Sequence, residues 1–328
     1  MAKARVSRLS WLAAVGGLLV LLVIGALAVI GSLERPAYYA LTYPFGVVVG
    51  STKILVPPFP PLTSVQLFDI TDNPLGTHLY LLGSDAGGRD LLALTAQGVV
   101  PSLQLVAGVV VARLLVGLLA GLGMAAGWPW VRQLSRGMGR WISGFPYLML
   151  AIIVIEALTP SSRWFAFAIG MALIGWRDIA LNVAGHIEHI RAQPFAESSR
   201  GLGTGPLRFF RLHVLPFLRP ALAVEVPFQA SATLVLLAEL GFVQVFLGGS
   251  SVLVEDRGLG STPSYTLATS PELGQILSTA RLYIERHQLY PVLVPAVAVA
   301  VIALAFELIG IALNSRTAGR LRTDIAQE

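Results

Sequence analysis

The stretch LQLVAGVVVARLLVGLLAGLGMAA, Leu103–Ala126, decides what kind of molecule this is. Apart from Gln104 and Arg113 it is built of apolar and small residues, and at ~1.5 Å per residue it reaches across the ~30 Å hydrocarbon core of a bilayer. Lipid offers no partner to backbone N–H and C=O groups, so such a stretch must be a helix. Five more blocks read the same way: Trp11–Gly31, Trp141–Leu158, Trp164–Val183, Ala221–Leu247 and Val292–Leu313. The expected fold is an all-α polytopic membrane protein with six transmembrane helices.

Composition agrees. Of 328 residues, 55% are hydrophobic and 12% charged, against about a quarter charged in a soluble domain, and the mean hydropathy is +0.73. The net charge of +5 does not point to nucleic acid, because the basic residues sit in short connections between apolar blocks. With no cysteine, disulfides, thiolate metal sites and cysteine nucleophiles are excluded. The first block follows Lys3, Arg5 and Arg8 like a secretory leader. It is too long for a leader core, and Gly31-Ser32-Leu33-Glu34-Arg35-Pro36 gives no clean cleavage site, so an uncleaved span is expected.

Arginine orients the chain. Arg132, Arg136, Arg140, Arg191, Arg200, Arg208, Arg211 and Arg219 fall in connections that share a side with the N-terminal tip. The longer connections 34–97 and 248–290, one with the run Pro57-Pro58-Phe59-Pro60-Pro61, are poorer in basic residues. The positive-inside rule then places both termini in the cytoplasm and both long connections outside.

One inside connection is too patterned for a mere linker. From Arg191 to Pro216 it reads RAQPFAESSRGLGTGPLRFFRLHVLP. Pro194 suits a first helical turn, Gly203 and Gly205 permit a reversal, and Pro206 suits the start of a second helix running to Leu215. Phe195, Leu202, Leu207, Phe210 and Leu215 mix with Arg200, Arg208 and Arg211, as in a piece that docks on a soluble partner.

This segment resembles the EAA signature of ABC-importer permeases. Glu197 opens it, Gly203 lies six positions later, and after nine residues comes His213-Val214-Leu215-Pro216. Ser198 and Ser199 replace two alanines, and His213 replaces an isoleucine. A second run, Gly83-Ser84-Asp85-Ala86-Gly87-Gly88-Arg89-Asp90, is similar to the Gly-Thr-Asp-x-x-Gly-Arg-Asp motif of dipeptide, oligopeptide and nickel permeases. Physically, Ser84 or Asp85 suits the cap of a short helix leading to Gln97.

The resemblance implies a type I ABC-importer permease fold and a division of the chain into four. Residues 1–33 would be the cytoplasmic tip and first span, and 34–97 an extracytoplasmic loop. Residues 98–320 would form the permease core, with a coupling loop at 191–216 and an outer loop at 248–290, and 321–328 a cytoplasmic tail. It further implies a coupling surface of Phe195, Glu197, Ser198, Ser199, Gly201, Gly203, Arg208, His213, Leu215 and Pro216. The implied partners are a second permease subunit, one or two ABC ATPase subunits, an extracytoplasmic solute-binding protein and membrane lipid, in a prokaryotic plasma (inner) membrane. ATP and Mg would sit on the ATPase chains. A phosphate-binding loop needs a lysine behind its glycines, and Lys3 and Lys53, the two lysines of the chain, follow no such run.

Several charges fall in or near the spans: Arg113, Glu156, Arg177, Asp178, Glu225, Glu239 and Glu307. Most lie close enough to an end to reach water. Arg113 and Glu239 lie deeper, and Glu225 and Glu239 return to roughly the same helix face at ~100° per residue. These three are candidates for either a water-lined pathway or charge pairs between helices. His186 and His189 are spaced i, i+3 without a third ligand, so no metal site is expected. A secondary transporter would need inverted repeats and broken spans, an intramembrane enzyme a nucleophile–base pair or metal cluster, and a scaffold no ATPase partner. Peptide, metal chelate and oligosaccharide all stay open as substrate.

Overall fold

The computed structural model describes residues 2–33, 45–50, 52–68, 74–144, 146–158, 163–247, 250–254, 264–268 and 272–325. Long helices dominate: α1 (Ala2–Leu33), α2 (Leu91–Ala125), α5 (Arg163–Arg191), α8 (Leu215–Phe242) and α11 (Tyr290–Ile325). Among the described residues these five hold stretches long and apolar enough to cross a membrane. The expected third span, Trp141–Leu158, departs from the reading. Its apolar part is the short helix α4 (Tyr147–Leu158), and the residues before it belong to α3 (Pro129–Gly144). Among the described residues the chain thus shows five such helices and one shorter apolar helix. α11 also runs past residue 320, where a tail was expected to begin.

The chain divides into two compact units, which it joins within α1, α2, α8 and α11. The first comprises residues 1–19, 105–233 and 303–328. Here α2 lies directly on α5. A Cβ on Gly117 would sit 2.7 Å from Ile179, and one on Gly121 2.6 Å from Val183, so the absent side chains let the backbones approach. The apolar seam continues through Ile187, Ile190 and Ala196 to Phe209, Val214 and Leu218.

The second unit comprises residues 20–104 and 234–302. The connection that leads to α2 is not a plain polar loop. Residues 45–80 form an antiparallel sheet of β1 (Phe45–Val48), β2 (Ile54–Leu55), β3 (Thr63–Phe68) and β4 (Pro74–Tyr80) in the order β2-β1-β3-β4. Val65 and Leu67 alternate with exposed Gln66, the period of a half-buried strand, and join Phe59 and Tyr80 in a small core. In the connection after α8, β5 (Ser250–Val254) pairs with β6 (Ser264–Ala268). The chain then enters α9 (Leu273–Ile276), a 3₁₀ turn (Leu277–Thr279) and α10 (Ala280–Glu285). Every residue from Glu272 to Ala280 is buried.

Candidate coupling segment and polar sites

The segment read as a coupling loop forms α6 (Pro194–Gly201), a turn, α7 (Pro206–Phe209) and a π turn over Phe210–Val214 that leads into α8. The expected second helix ending at Leu215 is corrected: Leu215 begins α8, so the segment is continuous with the span behind it. Gly203 terminates α6 at φ +76°, and the Thr204 N–H donates to Ser199 O at 3.2 Å, the Schellman closure that satisfies a terminal carbonyl. A Cβ on Gly203 would meet nothing within 4 Å. The constraint there is torsional, not one of space.

The segment has a buried side and an outward one. Ala196 (0%) and Ser199 (9%) are buried, and the His213 ring lies between two phenyl rings, with centroids 5.6 Å from Phe195 and 5.2 Å from Phe209. The imidazole thus packs between rings and ties α6 to the π turn. Leu202 (87% exposed) and Leu207 (80%) project outward beside exposed Glu197, Gly201 and Arg208. Ser198 donates back to Pro194 O at 3.2 Å, Leu215 is half-buried, and Pro216 is exposed. Behind the segment lies a cavity of ≈ 350 Å³ lined by Leu122, Ile187, Arg191, Thr204, Phe209 and Phe210 among others. Arg191 donates across it to Ala125 O.

The run Gly83–Asp90 is a knot organised by Asp85. Its Oδ1 accepts from Gly87 N–H (3.0 Å) and Arg89 N–H (2.9 Å), while Oδ2 accepts from Arg89 Nε (2.7 Å) and faces Nη2 (2.6 Å). Both side chains are almost fully buried. Gly83 (φ +88°) and Gly88 (φ +76°) occupy the left-handed region that glycine tolerates. Ser84 Oγ accepts from Phe59 N–H at 2.7 Å, and Tyr80 Oη donates to Gly88 O at 2.8 Å, binding the knot to the sheet. The helix cap is Asp90, not Ser84 or Asp85. Asp90 Oδ1 accepts from Leu92 and Ala93 N–H at 2.7 and 3.2 Å, and Oδ2 meets His78 Nε2 at 2.9 Å. The cap begins not a short helix but α2 itself.

The three charges read as pathway or pairing candidates have separate surroundings. Arg113 is 2% exposed, and its guanidinium donates to Met171 O (3.0 and 2.8 Å), Gln229 Oε1 (2.9 Å) and Thr233 Oγ1 (3.0 Å). It clasps α2, α5 and α8 through uncharged acceptors, and a Cβ on Gly175 would collide with it. Glu225 is half-buried and accepts from Asn182 Nδ2 at 2.7 Å, whereas Glu239 is exposed. Gln229 and Thr233 lie one turn apart on α8, so both face the same guanidinium. His186 and His189 are exposed, and no cluster of three metal-ligating side chains occurs among the described residues.

Sequence reasoning missed Glu272. It is 1% exposed, its Oε1 accepts from Leu247 N–H at 3.2 Å, and its Oε2 meets no hydrogen-bond partner among the described residues. Burial pushes its carboxyl up to about 7, against the opposing pull of the Leu247 and Gln275 N–H groups. Beside it, Ser102 Oγ accepts from Leu273 N–H at 2.9 Å.

No family model matches the chain. It is similar to the di/tripeptide transport system permease protein DppC of Pseudomonas aeruginosa, with 30% identity over 72% of this chain and 70% of that one. It is also 26% identical to the dipeptide transport system permease protein DppC of Alkalihalophilus pseudofirmus over 81% of each chain. With the Haemophilus influenzae DppC it shares 28% over 72% of each. A multi-pass bundle of apolar helices, and 30% identity across more than two thirds of a relative, place the chain in the DppC-like family of ABC-importer permeases.

Proposed function

We propose that this chain is one of two permease subunits of a peptide importer and that residues 191–216 transmit the ATPase stroke to its spans. The carrying observation is the two-sided build of that segment. Leu202 and Leu207 stand out on one side, and the His213 ring locks the other side to α8 without a break. A push on the exposed leucines passes into α8 through packed rings and continuous helix rather than through a slack linker. The names of the relatives, all peptide-transport permeases, support peptides over metal chelates or oligosaccharides. Glu197 in the first turn of α6 favours the helix dipole and remains exposed for a basic group on the ATPase.

The test substitutes Leu207→Asp in the assembled transporter and follows ATPase stoichiometry, ATP hydrolysis and labelled dipeptide uptake together. Loss of ATPase association, or hydrolysis uncoupled from uptake, is the expected outcome. Wild-type uptake with Leu207→Asp refutes the coupling role. Uptake of a metal chelate or oligosaccharide in place of dipeptide refutes the substrate class alone.

A further inference from the structure

Helix α3, PWVRQLSRGMGRWISG, has three sectors. Val131 (3%), Ser135 (2%) and Met138 face the protein, packed with Met124, Trp176 and Ala180. Trp130 (61% exposed) and Leu134 (49%) lie to one side of that face, and Trp128 (52%) stacks on Trp130 with ring centroids 6.0 Å apart. At ~100° per residue, positions 132, 136 and 140, all arginine, fall on the far side of Trp130 from the buried face, about 80–160° away from it. Residues 127–155 contain no Asp or Glu. Glu188, on α5, lies 3.6 Å from Arg132, while Arg136 is exposed.

A polar, water-facing helix has no use for two exposed tryptophans. A transmembrane helix has none for a row of arginines. The combination fits a helix lying in the interface, with indoles at headgroup depth and cations toward phosphate. α4 points the same way: its 12 residues span only ~18 Å, short of a ~30 Å core.

We infer that α3 is an interfacial helix that recognises anionic phospholipid through Arg136, with Trp130 and Leu134 seated in the acyl boundary beneath the headgroup. Charge complementarity selects this occupant: a basic sector without acids of its own, beside an apolar sector, matches a phosphate above hydrocarbon. The surface of a second permease is the alternative cover.

The absence of cysteine makes the test direct. Gln133, exposed on α3 between the apolar and basic sectors, is replaced by cysteine in the whole chain and labelled with bimane. The protein is reconstituted in phosphatidylcholine vesicles with a minor fraction of phosphatidylglycerol. Bromine is carried on the acyl chains of one lipid or the other, and both bromolipids are used at equal mole fraction. The expected result is stronger quenching by brominated phosphatidylglycerol, reflecting an enrichment of about fivefold for one arginine at an anionic surface. The preference should disappear in Arg136→Gln and persist in Arg136→Lys, which also shows that the helix is still formed. Equal quenching by both lipids in the parent chain overturns the inference, because the helix then touches lipid without selecting it. Quenching by neither overturns it too, because protein then covers the face.

Discussion

Replacing Glu272 by glutamine tests how burial controls this protein's response to pH. The carboxyl rises from an ordinary 4.5 to about 7 in the fold. Between those values the native state holds a proton that the unfolded chain releases. Glu272 therefore contributes its full share of stability below pH 4.5 and loses it as pH rises through 7. At 1.36 kcal/mol per unit the loss amounts to about 3 kcal/mol. Glutamine keeps an oxygen for Leu247 N–H and carries no charge at any pH. Its amide nitrogen adds a constant desolvation penalty, so the readout is slope rather than offset. Thermal unfolding of parent and Glu272→Gln protein from pH 5 to 8.5 should show the parent losing ground to the variant up to about pH 7 and levelling above it, by about 5–10 °C at roughly 2–4 °C per kcal/mol. A difference between the two that stays constant over this range would refute the assignment of a buried, readily protonated carboxyl.

Asp85→Asn should lower stability by about 3–5 kcal/mol, read as a drop in melting temperature, because it leaves the Arg89 guanidinium buried without its counter-charge. Gly203→Val should impair coupling while Gly203→Asn largely preserves it, since a left-handed torsion costs about 1–2 kcal/mol for a residue with Cβ and asparagine tolerates it best; equal uptake by both variants argues against a torsional requirement. Gln229→Leu should destabilise by about 1–3 kcal/mol by orphaning an Arg113 donor, measured by denaturation in detergent.

Membrane character, the positions of most spans and the helix–turn–helix outline at residues 194–216 were legible because each depends on local pattern: apolar run length, proline at helix starts, glycine at a reversal. Trp141–Leu158 misled for a physical reason. Trp141 and Ile142 extend an apolar run by composition, but they belong to α3, and α4 begins only beyond Pro146. The sheet at 45–80 was hidden because its strands are short, Ile54–Leu55 being two residues, and proline and glycine break the alternation that marks a strand. The cap at Asp90 is a similar case, since Ser84 and Asp85 are equally good capping types and only their use in the knot removes them from competition. Arg113 stands out in the sequence as a charge deep in a span, but its acceptors do not. A guanidinium can spend its donors on a carbonyl of one helix and an amide and a hydroxyl of another, and such neutral acceptors raise no alarm in a sequence. Glu272 escaped notice because it lies outside the apolar blocks, where acids are ordinarily solvated; only the fold shows that nine consecutive residues around it are buried.

The π turn at Phe210–Val214 has a consequence for phase. Leu215 N–H reaches back five residues to Phe210 O, one residue more than an α turn holds. That extra residue sets the angular offset between everything before it and the span after it. Deleting a single residue there would let an ordinary helix form with no loss of hydrogen bonds, while rotating the upstream segment by ~100° about the axis of α8. Leu202 and Leu207 would then be presented at the wrong azimuth by a protein that is folded and inserted. The heading of the segment relative to its span is thus stored in a count of residues.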